Sequence, residues 1–314
     1  MKKFIILFKK VDGINILKQY AKAHVLIFAI FQTILNGFSA KSLEIVRLSV
    51  NNKIQKKLRK RNLDFIKKYK SEHCMDNLER IKTNKIWVCW LQGLENAPIL
   101  VQKCYDSLQK NLLNKEIILI TENNYRDYIN FPDFIQRKVD DNIITKTHFS
   151  DLLRLELLAK YGGTWIDATV FCSGSNYPSY IFDSDLFVYQ NLKPGLDGHS
   201  TRISSWFMTS CTNHPIILLT RELIYEYWRY NNILIDYFLI HDFFELAIET
   251  YPQEWQRVIP FPNSIPHILL LRLFDDYDEN IWNATKQLTD FHKLSYKFSV
   301  EQFYKKGTYF NEIL

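Results

Sequence analysis

Apolar positions along the chain fall into two regimes. Before residue 70, apolar clusters alternate with basic ones: Phe4–Phe8, then Lys9 and Lys10, then His24–Leu35, then Lys53–Arg61 and Lys67–Lys70. From Lys85 onward the pattern is that of a folded core. KIWVCWL (Lys85–Leu91) reads as a short buried strand, followed by a turn at Gly93. Pro98 stands near the start of a helical stretch running to about Leu112, and EIILIT (Glu116–Thr121) reads as the next strand. Polar helical pieces follow around Tyr125 and Phe134. This strand–helix–strand alternation predicts an α/β fold, a mostly parallel Rossmann-like sheet flanked by helices, with ligands at the carboxyl ends of its strands. No GxGxxG or Walker loop follows either strand, so the common nucleotide-binding fingerprints are absent.

Composition adds exclusions. The 314 residues are 47% hydrophobic and 15% aromatic, with nine glycines and nine prolines, which rules out intrinsic disorder. The length suits one generous domain or two small ones. Five cysteines (Cys74, Cys89, Cys104, Cys172, Cys211) have no CxxC pair and no regular spacing. They predict small buried hydrophobes in a reducing compartment, not a disulfide framework or a zinc cluster.

Charge divides the chain. Residues 1–70 hold 17 Lys and Arg against three acids (Asp12, Glu44, Asp64), a net of +14, which leaves residues 71–314 at −8. The two parts meet different surroundings, and the chain reads as a basic, amphipathic helical arm (1–80) followed by a main domain (81–314). The longest uncharged run of the arm, Ala23 to Ala40, has an apolar core of only about a dozen residues. A transmembrane helix needs roughly 20, so no span is predicted. No small-residue cleavage site follows an early apolar stretch, which argues against a cleaved signal peptide. The favoured reading is an arm lying on an anionic cytoplasmic leaflet, where each surface Lys or Arg contributes about 1 kcal/mol. Two alternatives remain: KKLRKR (Lys56–Arg61) would suit nucleic-acid phosphates, and a solvated helix face packed on the main domain would explain the same pattern.

Candidate chemistry converges on Thr147–Cys172, THFSDLLRLELLAKYGGTWIDATVFC. Ser150 or Thr147 is positioned to cap a helix whose Leu152, Leu155 and Leu158 pack inward, with Leu153 and Leu157 widening the stripe. Asp151 and Arg154 then share one face near its start. Tyr161-Gly162-Gly163 ends the helix. Thr164–Phe171 reads as a strand with Ile166, Ala168 and Val170 on one face and Trp165, Asp167 and Thr169 on the other. A lone carboxylate in an apolar strand is costly to bury unless something binds it, which singles out Asp167.

The pattern SDxLRxxxLxxxGGxxxDxx resembles the donor-binding core of DXD-motif sugar transferases. Together with IWVCWLQG, SSWFM and HKLSYK, it resembles the bacterial capsular polysaccharide synthesis glycosyltransferases, related to the clostridial-toxin-like enzymes. The resemblance covers roughly Lys85–Lys297. It implies a GT-A type fold, a nucleotide-sugar donor, retention of anomeric configuration and Mn²⁺ or Mg²⁺ as cofactor.

Carried over residue by residue, the resemblance makes Asp151 and Arg154 contacts of the donor sugar and phosphates, with Ser150 beside them. Asp167 becomes the first acid of the DXD position, yet the third position is Thr169, a neutral hydroxyl where the family pattern has a second acid. A hard divalent cation prefers the two carboxylates. His292 is expected on the metal with Asp167 or on the diphosphate, and Lys293 and Lys297 on the leaving UDP; a surface strand with solvated lysines is the alternative. Trp90 and Gln92, ending the first strand, are expected to contact the uracil. Ser204, Ser205 and Trp206 either wall the donor or acceptor pocket or form an ordinary strand with a buried Trp. Asp236 and His241, five apart, read as acceptor residues or as core. Tyr225–Tyr230 reads as helix packing. Arg154, Asp167, His292 and Lys293 are the expected catalytic set.

The implied activity is transfer of a hexose, galactose before glucose, from a UDP-sugar to a lipid-linked saccharide on the inner face of the membrane, with no nucleic-acid partner. The alternative is a non-catalytic, membrane-associated adaptor of the polysaccharide assembly machinery, favoured by Thr169 alone.

Overall fold

The computed structural model describes residues 13–73, 78–192 and 201–314. The apolar cluster Phe4–Phe8, Lys9, Lys10 and Cys74 lie outside the described residues. Three helices come first: α1 (Gly13–Lys22), α2 (Leu26–Asn36) and α3 (Ala40–Glu72). Then follow β1 (Lys85–Cys89), α4 (Ile99–Asn111), β2 (Glu116–Ile120), α5 (Lys146–Tyr161), β3 (Gly163–Ile166) and β4 (Val170–Cys172). The chain continues through β5 (Leu186–Gln190), β6 (Ile203–Ser210), α6 (Pro215–Tyr230), α7 (Leu239–Thr250), α8 (Glu279–Leu288) and β7 (Phe291–Lys293), with shorter helical turns between.

The main sheet has the order β2-β1-β3-β6-β5. β1 pairs in parallel with β2 and β3, while β6 runs antiparallel to β3 and β5, so the sheet is mostly parallel with one inverted strand. Period-two alternation feeds two cores. Trp87, Trp165 and Met208 pack with the leucines of α5 and with α6 and α7, whereas Ile86, Val88, Ile166 and Phe207 pack with Val101 and Leu108 of α4. Helices on both faces explain why β1 reads as a continuous apolar run. Tyr225, Tyr227 and Trp228 are buried in the α6 packing, as their pattern predicts. The four described cysteines are free, with Cys104, Cys172 and Cys211 buried.

Two local readings need correction. The cap of α5 is Thr145, whose hydroxyl accepts from the His148 N–H at 3.3 Å, not Ser150 or Thr147. Thr164–Phe171 is not one strand. Asp167 N–H donates to the Trp206 carbonyl (2.8 Å), and Val170 N–H then turns back onto the Asp167 carbonyl (3.0 Å). The chain thereby leaves the main sheet, and β4 pairs antiparallel with β7 in a second sheet. The turn sets Asp167 at the carboxyl end of β3, where a ligand is expected in such a sheet.

The helical arm is joined to this body. One side of α3 buries Val46, Val50, Ile54 and Leu58 at four-residue spacing, and these belong to the same core as α7. Beside them, Asn51 donates to Asp236 and Asp242 (both 3.1 Å) and Gln55 to Asp242 (3.0 Å). Arg59 Nε donates to Glu249 at 2.8 Å. The outer side differs: Ile14, Ile27, Ile30, Phe31, Ile34 and Leu35 are exposed. Among the described residues no helix is long and apolar enough to cross a membrane.

Candidate active site

Helix α5 delivers the first residues of the site. Its register aligns His148, Asp151 and Arg154 along one face, all three buried. Gly162 and Gly163 then reverse the chain into β3 with φ of 64° and 87°. A Cβ on Gly163 would lie 2.4 Å from the Lys85 carbonyl oxygen, so only glycine lets β3 close against β1 at this register. The Gly162 carbonyl accepts from the Trp87 indole at 2.9 Å, which fixes the turn from the sheet side.

Asp167 is the centre of the cluster. Its Oδ2 accepts from Lys293 Nζ at 3.0 Å, and its Oδ1 accepts from Trp165 Nε1 at 3.0 Å and from Arg154 Nη2 at 3.4 Å. Burial pushes the carboxyl up, but Lys293 and Arg154 together outweigh it and hold the group below the ordinary carboxylate range. Lys293 Nζ also donates to Thr169 Oγ1 at 2.5 Å. Arg154 is only 5% exposed, lies 4.8 Å from the centroid of the Trp165 ring and donates to the Ser205 carbonyl at 2.6 Å. It also approaches Asp151 at 3.5 Å, and Asp151 meets His148 Nδ1 at 3.3 Å. Arg154 thus braces both carboxylates from within, while Asp167 and Lys293 keep 28% and 18% of their side chains open.

The metal expectation does not fit these residues. Strand alternation in β7 turns Lys293 toward Asp167 and His292 the other way. His292 is fully buried between Phe171 and Trp282, with Nε2 at 3.0 Å from Ser173 Oγ, and burial pushes its pKa down to about 3. The expected Asp167–His292 pair is therefore not assembled. Among the described residues no three His, Cys, Asp or Glu side chains converge as a metal site.

The remaining expected residues separate. Trp90 ends β1 with its indole N–H buried and unpartnered, its ring 5.5 Å from that of Tyr296. Gln92 is exposed nearby, and Lys297 is exposed just beyond Tyr296. Ser150 is half-buried and donates to the Thr147 carbonyl at 2.7 Å. Ser205 contributes its carbonyl to Arg154. Trp206 stacks on Tyr189 at 4.4 Å and donates to Asn263 at 2.7 Å, so its side chain is core and its carbonyl serves Asp167. His241 lies in the first turn of α7, within the field of Asp151, Arg154 and Asp167; burial pushes its pKa down to about 4, and its Nδ1 is unpartnered. Asp236 parts from it. It precedes α7, accepts from the Phe238 N–H at 2.8 Å and faces Asn51 of the arm.

Residue patterns alone did not mark four neighbours of the cluster. Trp165 carried a signal, since period two placed it beside Asp167. His148 lies one helical turn before Asp151. Tyr237, half-exposed, stands close enough that burial, then Asp151 and Asp167, raise its hydroxyl pKa. Tyr296 packs on Trp90. Neither tyrosine sits in a telling pattern.

Residues 33–313 match the capsular polysaccharide synthesis protein family, and the chain belongs to it. No curated protein matches the chain. Among solved structures it is similar to a PaToxG glycosyltransferase, with 14% identity, 85% of this chain and 97% of that chain covered, and a TM-score of 0.37. A likeness that remote bears on neither fold nor chemistry.

Proposed function

We propose that the protein is a retaining glycosyltransferase of GT-A type that moves a hexose, galactose before glucose, from a UDP-sugar to a lipid-linked saccharide acceptor. The observation that carries this reading is the Asp167–Lys293–Thr169 cluster, with Asp167 and Lys293 partly open at the carboxyl end of a parallel strand in a capsular polysaccharide synthesis family member. Lys293 faces the charge that develops on the departing diphosphate. Asp167 holds the ammonium in place, and Arg154 with Trp165 holds Asp167. A preorganised charge of this kind needs no rearrangement as the glycosidic bond breaks. The leaving diphosphate helps deprotonate the acceptor hydroxyl, so no strong external base is required. Trp90, with its unpartnered indole N–H, and Gln92 suit the uracil, while Lys297 lies at the rim.

The exposed apolar residues of α1 and α2, together with exposed Lys18, Lys22 and Lys41, support attachment to an anionic inner leaflet, where the lipid-linked acceptor resides. The test is incubation of the purified protein with UDP-galactose and a lipid-linked saccharide, with the product's anomeric configuration read by NMR. An α-linked product is expected; no product, or a β-linked one, would overturn the reading.

A further inference from the structure

Charge balance in the cluster points to a further property. Resting on the UDP-sugar reading above, we propose that the Lys293 ammonium takes the place of a divalent cation, so that the chain binds the donor diphosphate without a metal ion. Two carboxylates around a divalent cation sum to zero. Asp167 with one ammonium also sums to zero, because the second acid is replaced by Thr169, a neutral hydroxyl. Losing one negative group and exchanging a divalent for a monovalent cation leaves the net charge of the motif unchanged.

Geometry supports the exchange. Lys293 Nζ touches both motif positions, Asp167 at 3.0 Å and Thr169 at 2.5 Å, as a bridging ion would. An ammonium has three donors, so one remains for a phosphate oxygen, and 18% of the side chain is open. The lysine cannot drift far. β7 pairs Lys293 with Val170, and Leu294 N–H donates to the Thr169 carbonyl at 2.9 Å, so backbone bonds set the ammonium against the motif. Asp167 is equally fixed, its other oxygen taken by Trp165 and Arg154. His292, the remaining expected metal ligand, is sealed on the opposite side of the strand. A charge-assisted hydrogen bond is among the stronger polar contacts a protein offers a phosphate.

Calorimetric titration of full-length protein with UDP, in EDTA and in Mn²⁺, tests this directly. The expected result is binding in EDTA within about twofold of that in Mn²⁺. Lys293→Met should weaken binding in EDTA by about tenfold or more, and Lys293→Arg should retain most of it. UDP binding by the wild type only with Mn²⁺ would overturn the inference and leave the donor reading standing. Undiminished binding by folded Lys293→Met would also overturn it. Absence of UDP binding under both conditions would overturn the donor reading, and this inference with it.

Discussion

The guanidinium of Arg154 rests against the ring of Trp165, and from there it reaches Asp151 on its own helix and Asp167 on the next strand. One buried cation thus ties the start of α5 to the end of β3. Removing it leaves buried Asp151 with His148 alone and Asp167 with Lys293 as its one remaining cation. Arg154→Ala should destabilise the protein by about 3 kcal/mol, read as a lowered denaturation midpoint, because breaking a buried pair leaves an uncompensated charge. Arg154→Lys should recover only part of this, since a single ammonium cannot reproduce the guanidinium fork. Full stability of Arg154→Ala would remove the bracing role.

Asp242 on α7 receives the amides of Asn51 and Gln55 from α3, and its Oδ2 is unpartnered. Burial, then Asp236 nearby, raises its pKa well above the ordinary value. A carboxyl whose folded pKa is raised binds its proton more tightly in the folded state, so its contribution to stability is fully present at low pH. It then declines as pH rises from the unfolded carboxylate range toward the raised folded value. Asp242→Asn should flatten that decline in denaturation midpoints measured from pH 4 to pH 8. An unchanged slope would show that the α3–α7 junction does not carry a held proton.

Membrane attachment is best tested by point substitution, because α3 belongs to the core and deleting residues 1–70 would uncover it. Ile27 and Ile34 are 86% and 66% exposed. Ile27→Glu with Ile34→Glu should lower recovery on anionic vesicles by about tenfold or more, with an unchanged melting temperature. Wild-type recovery should also fall as salt screens the lysines. Equal recovery of variant and wild type would refute attachment through this surface.

Ser150 borders Asp151 but does not cap α5, so Ser150→Ala should leave stability within about 0.5 kcal/mol of wild type. If its hydroxyl senses the donor sugar, the ratio of kcat/KM for UDP-galactose over UDP-glucose should shift several-fold in Ser150→Ala and Ser150→Thr. A constant ratio across all three proteins would free Ser150 of any part in donor choice.

Much of this was legible in residue patterns. KIWVCWL and EIILIT gave β1 and β2 because strands covered on both faces are continuous apolar runs, and the glycine pair marked the reversal after α5. Asp167 stood out as a lone acid among apolar neighbours. The break after Ile166 is hidden, since Ala168 and Val170 continue its alternation while the chain changes sheets. The place of His292 is hidden for a related reason: adjacent residues of β7 point opposite ways, and only its pairing with β4 decides which of His292 and Lys293 meets Asp167. Thr145 does not stand out as a cap because Thr147 and Ser150 offer similar hydroxyls nearby. Tyr237 and Asp236 depend on where α7 begins, and the pattern IDYFLIHDFF does not fix that start.

The most direct measurement is acceptor-dependent UDP release from UDP-galactose by wild type and Asp167→Asn, both on vesicles carrying a lipid-linked saccharide. The substitution preserves shape and removes the charge that holds Lys293. Turnover lowered by at least about 10²-fold is expected in protein that remains folded at the assay temperature, the scale typical for loss of a preorganised electrostatic contact. Turnover of Asp167→Asn close to that of the wild type would contradict it.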